Sequence, residues 1–113
     1  MELKISDSHI KLDEEGYLVD PNDWTKAISE KLAGQENIDL SDDHWKIIHF
    51  MRDYYDQHRV AADARYIIKL LSDDMGYGRK KARARLYELF PYGYVKQTCK
   101  IAGMKRPRAW SSG

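Results

Sequence analysis

The hydrophobic period of this chain changes once, near Asp20, and that change sets the fold class. Before it, apolar and polar residues alternate: Leu3 and Ile5, Ile10 and Leu12, then the run Tyr17-Leu18-Val19. The turn-forming stretches Ser6-Asp7-Ser8 and Asp13-Glu14-Glu15-Gly16 separate them. A period of two between turns predicts a small antiparallel meander, which needs helices to cover one face. After Asp20 the spacing is helical. Pro21 suits a first turn, Trp24, Ala27, Ile28 and Leu32 share a stripe, and Gly34 is placed to stop the helix. Ser41 is a good N-cap, with Asp42 and Asp43 at the positive end of the next helix. That helix carries Trp45, Ile47, Ile48, Phe50, Met51, Tyr54 and Tyr55, an arc wide enough for a central position. Ala64, Ile67, Ile68 and Leu71 predict a third helix ending near Gly76. A fourth spans residues 79–89, ahead of Pro91, and a fifth spans 94–102, closed by Gly103. Residues 104–113, with Pro107 and no helical pattern, read as a mobile C-terminal arm. The expected class is α+β, a β meander packed on an array of about five helices.

A length of 113 residues with 42% apolar content fits one domain, residues 1–113, with a modest core. No run approaches the roughly 20 apolar residues of a membrane span, and residues 1–15 lack a secretory pattern. The expected location is the cytoplasm. Charge is strongly polarised behind a net +1: residues 1–45 balance at −8 and residues 79–113 at +9. A basic C-terminal surface of this kind meets an acidic partner, a phosphate-rich partner, or the chain's own acidic half.

Cys99 is the only cysteine, so no internal disulfide can form. A thiolate can accept sulfur from a persulfide, and cations raise the thiolate fraction. Lys96 and Lys100 flank Cys99, and Lys105, Arg106 and Arg108 follow; these five also suit partner docking. The pattern by itself favours the opposite reading: Val95, Cys99 and Ala102 lie at helical spacing, as a buried small hydrophobe would. The histidines lack metal-ligand spacing, so neither a metal nor another cofactor is expected. His49 and Asp53 are placed for a helix-surface pair. Arg79, Lys80, Lys81, Arg83 and Arg85 form the densest basic run, a candidate for weak nucleic-acid contact without sequence preference or simply a solvated helix face. Tyr87, Tyr92 and Tyr94 either stack on bases or pack the junction around Pro91. Phosphate loops and nucleophile elbows are absent, which favours a carrier over an independent catalyst.

The run Leu89-Phe90-Pro91-Tyr92-Gly93, followed by Lys96-Gln97-Thr98-Cys99-Lys100-Ile101-Ala102-Gly103-Met104, closely resembles the terminal signature of the DsrC/TusE family. Glu15-Gly16-Tyr17-Leu18, Trp24, His44-Trp45, residues 50–55, Arg65 and Lys69 extend the resemblance over nearly the whole chain. It implies a sulfur-relay protein that carries sulfur, as persulfide, on cysteines of a C-terminal arm. DsrC forms work with dissimilatory sulfite reductase or heterodisulfide-reductase-like complexes, and TusE passes sulfur toward tRNA thiolation. Of the family's two arm cysteines, Cys99 matches the first, whereas Trp110 stands at the place of the second and Lys105 replaces a usual proline. The resemblance therefore implies Cys99 as the sulfur acceptor, with other sulfur-relay proteins as partners. The alternative is a non-catalytic adaptor or DNA-associated regulator of sulfur metabolism that uses the basic region.

Overall fold

The computed structural model describes residues 2–5 and 8–105, with backbone alone at Ile5 and Ser8. Strands β1 (Glu2–Ile5) and β2 (Ser8–Lys11) pair antiparallel, with Leu3 opposite Ile10. The expected third strand contracts to one bridge between Leu12 and Leu18. Asp13 explains this: its Oδ1 accepts from the backbone amides of Glu15 and Tyr17, both at 2.9 Å, and Gly16 turns at φ +88. The tight turn leaves no room for a longer ladder. Leu3, Leu12 and Leu18 then pack on Ile28 and Leu32.

The first helical segment is split rather than continuous from Pro21. A 3-10 turn at Pro21–Asp23 is capped by the Asp20 side chain, and Trp24 is extended at ψ 140. Helix α1 (Lys26–Gln35) starts afresh behind its own cap, Thr25. Gly34 lies inside α1, and Asn37, at φ +59, makes the reversal instead; Ala27 is exposed. Helix α2 (Asp42–His58) starts at Ser41 as expected, in a capping box completed by His44. Its buried residues are His44, Ile47, Ile48 and Met51, while Trp45 sits half-buried at the rim. Helix α3 (Ala64–Lys69) runs directly into a π-helical turn, Leu70–Asp74. Helices α4 (Gly78–Leu89) and α5 (Tyr94–Ile101) complete the α+β fold, around a core that includes Ile47, Ile48, Met51, Leu86 and Phe90.

Met104 is buried with this core, so the segment expected to be a mobile arm from 104 is anchored at its first residue. Arg106, Arg108 and Trp110 lie outside the described residues. Among the described residues, no helix is long and apolar enough to cross a membrane.

Candidate functional site

Helix α5 places Cys99, and the way it ends decides the state of the thiol. Gly103, at φ +76, closes α5 in a Schellman motif: its amide donates to Lys100 O at 3.1 Å, and the Met104 amide donates to Cys99 O at 2.9 Å. The last carbonyls of a helix need partners from elsewhere. Here Ser29 and Arg52 supply them, and Trp24 holds Ser29 in place. Trp24 Nε1 donates to Ser29 Oγ at 2.7 Å, and Ser29 Oγ donates to Ile101 O at 2.6 Å. Arg52 Nη1 donates to Ala102 O and Gly103 O at 3.4 and 3.2 Å, while Nη2 donates to Pro21 O at 2.7 Å. The Arg52 guanidinium also lies over the Trp24 ring, 4.7 Å from its centre. A Cβ at Gly103 would collide with the Trp24 ring, so glycine is required twice at this position.

Cys99 is 1% exposed, and burial pushes its thiol up to about 12. The expectation of a cation-stabilised thiolate is not met in this conformation, because the sulfur is buried, and the basic neighbours are directed elsewhere. Lys100 Nζ lies 3.9 Å from Glu36 and over the Tyr17 ring; Lys96 and Lys105 are exposed. Gln97 Nε2 also donates to Glu36, at 3.4 Å, and Gln97 Oε1 accepts from the Tyr92 amide at 3.2 Å. Tyr17 is held protonated to about 12, first by burial and next by the nearby Cys99. Tyr17, Glu36, Tyr92, Lys96, Gln97 and Lys100 share an open cleft of about 270 Å³ on this side of α5.

The basic run divides. Arg79, Lys80, Lys81 and Arg83 are exposed, but Arg85 is half-buried and committed: its Nε donates to Asp43 at 3.0 Å, and Glu88 lies 3.7 Å away. Tyr77 also donates to Asp43, and these bonds hold that carboxyl below its ordinary range. Tyr87 and Tyr94 meet edge to face at 4.9 Å, whereas Tyr92 is 76% exposed, so the junction at Pro91 is packed by two of the three tyrosines. His49 stacks on Trp45 rather than pairing with Asp53. His44 is a core residue: Nδ1 accepts from the Ser41 amide at 3.0 Å, so Nε2 carries the proton and donates to Leu89 O at 2.8 Å. Among the described residues no group of three His, Cys, Asp or Glu side chains could hold a metal.

Periodicity gives no sign of the roles of Ser29 and Arg52. Both sit on helices far from α5 in sequence, and only the tertiary fold brings them to its end. The one sequence-level signal is chemical: Arg52 is a charge inside an otherwise apolar arc.

A family model described as DsrC like protein matches residues 4–109. Sulfurtransferase TusE of Sodalis glossinidius is 37% identical over 106 residues, covering 93% of this chain and 96% of the relative. Sulfurtransferase TusE of Photorhabdus laumondii is 40% identical over 99 residues, 87% of each chain. Among solved structures, Allochromatium vinosum DsrC superposes with a TM-score of 0.82 at 36% identity, covering 96% of this chain and 98% of that one. The oxidized γ subunit of dissimilatory sulfite reductase (DsrC) from Archaeoglobus fulgidus gives 0.86 at 33% identity, with the same coverage.

Proposed function

This chain belongs to the DsrC-like protein family, and from that premise we propose that it relays sulfur between protein partners with Cys99 as the carrier. The observation that carries the reading is the near full-length match to two proteins named sulfurtransferase TusE. The solved relatives support it, since one of them is a sulfite reductase subunit. Partners are therefore other sulfur-relay proteins or an assembly of the sulfite reductase type, with tRNA thiolation as the other destination. The cytoplasm suits such a relay, because a lone thiol stays reduced there.

The chemistry needs the thiolate. Cys99 Sγ, deprotonated, attacks the outer sulfur of a donor persulfide; the donor's S–S bond breaks, a new S–S bond forms on Cys99, and the donor leaves as its thiolate. In the closed conformation the thiol keeps its proton and is covered. Transfer therefore proceeds from an open form, in which the end of α5 leaves Trp24 and Arg52 and the sulfur meets water and the donor. Lys96 and Lys105, both exposed, then draw an acidic donor toward that end.

Intact-mass spectrometry after incubation with a persulfide donor tests the reading. The expected result is a one-sulfur increment, absent in Cys99→Ser, reversed by reductant, and faster in sub-denaturing urea. If the native protein gains no sulfur even under those conditions, while the unfolded chain is fully loaded, Cys99 is a packing residue and its carrier role is lost.

A further inference from the structure

A second cleft, of about 620 Å³, gathers basic side chains, and α5 contributes nothing to it. Five cations line it: Arg65 and Lys69 from α3, and Arg79, Lys80 and Arg83 from α4. All five are exposed. Arg65 pairs with Asp63 at 3.0 Å, so four of the five cations carry the argument. Among the described residues, Lys69, Arg79, Lys80 and Arg83 have no ion-pair partner. Crowding like charges in one concavity raises the local potential and favours an anion.

Two backbone features aim at the same place. Helix α4 starts without any side-chain cap, so its first-turn amides beside Arg79 and Lys80 are open to an acceptor. The adjoining wall is the π-helical turn, where the Met75 amide reaches back to Leu70 O at 3.0 Å. Such turns sacrifice regular geometry and recur at functional sites. This one presents Ser72 and Asp73 to the cleft.

The chain's own acidic half does not fill the cleft. Its contacts with the basic C-terminal region run elsewhere, from Asp43 to Arg85 and from Glu36 to Lys100. Among the described residues, none of 1–45 lines the cleft. Nucleic acid suits it poorly. Among the described residues no aromatic ring lines it for base stacking. Its volume and its spread over three elements exceed what one small oxyanion occupies.

We infer that the cleft between the π-helical turn and α4 receives an acidic segment of a partner protein, its carboxylates paired with Lys69, Arg79, Lys80 and Arg83. This site is independent of the chemistry at Cys99. The full-length protein is titrated with fluorescent hexaglutamate at physiological salt, against hexaglutamine and a single-stranded oligonucleotide of equal charge. Hexaglutamate should bind, hexaglutamine should not, and amide NMR shifts should cluster at Lys69, Ser72 and residues 79–83. The double variant Lys80→Glu/Arg83→Glu should bind about tenfold more weakly or worse. Lys26→Glu/Lys31→Glu on the exposed side of α1 makes the same change in net charge and should leave binding unaltered. Lys80→Gln/Arg83→Gln should fall between wild type and the reversed pair, and melting curves verify that each variant is folded. Equal losses in the α1 control, binding unmoved by the cleft variants, or tighter binding of the oligonucleotide would each overturn the inference.

Discussion

At the scale of single residues, three buried titratable groups make stability depend on pH, two in one direction and one in the other. Cys99 has an ordinary value of 9.0 and is pushed up to about 12 by burial. The unfolded thiol ionises first, so its contribution is complete below pH 9 and is lost as pH rises from there toward 12. Tyr17 adds a similar loss that begins higher, at its ordinary 10.0. Melting temperatures should fall above pH 9, and Cys99→Ala should remove the part between 9 and 10; an unchanged slope would place the thiol in solvent. His44 works the other way. Burial lowers it below 6.5, so the unfolded ring takes up a proton first and stability declines as pH drops below that value. His44→Gln keeps an acceptor for the Ser41 amide, and melts between pH 7.5 and 5 should lose this slope. The sequence made both readings of Cys99 available, thiolate among lysines or filler between Val95 and Ala102. It could not choose, because the choice depends on whether the tertiary fold buries the sulfur.

At the scale of elements, the proposed relay requires the end of α5 to move. Three hydrogen bonds from one guanidinium hold Ala102, Gly103 and Pro21 together. Bonds from a charged donor contribute about 1.5–3 kcal/mol each when well formed. Removing them by Arg52→Ala should favour local opening and speed native-state labelling of Cys99 by about ten- to a hundredfold. Ser29→Ala, which frees Ile101 O, should act in the same direction. If labelling keeps its wild-type rate in both variants, the thiol is exposed by some other motion. Helix existence was legible from the period and from Ser41, Pro91 and Gly103. The break at Trp24 was not, since an apolar stripe does not register a single extended residue. Nor was the π-helical turn, because Ile67, Ile68 and Leu71 fit an ordinary helix equally well.

For the whole molecule, packing concentrates on α2, whose Ile47, Ile48 and Met51 have no exposed surface. Ile48→Ala should cost about 2–5 kcal/mol in urea unfolding, and Trp45→Ala, at the half-buried rim, should cost less despite the larger side chain. The reverse ranking would put the helix face wrongly. The α+β class and the polarity of charge were readable from the chain alone. How that charge is spent was not: some of it closes the fold through Asp43–Arg85 and Glu36–Lys100, and some stands open beside α4.

The clamp at the end of α5 also has a history in time. Its bonds join residues distant along the chain: Ser29 to Ile101 across 72 positions, Gln97 to Glu36 across 61, and Arg52 to Gly103 across 51. Contacts of such separation form only after the loops between them have closed, so they belong to the late stages of refolding. The Cys99 sulfur, beneath this clamp, should then be shielded late. In a quenched refolding series with a fast thiol reagent, protection of Cys99 should trail the recovery of helical signal, and a refolding chain should briefly offer its thiol to reagents that the finished protein excludes.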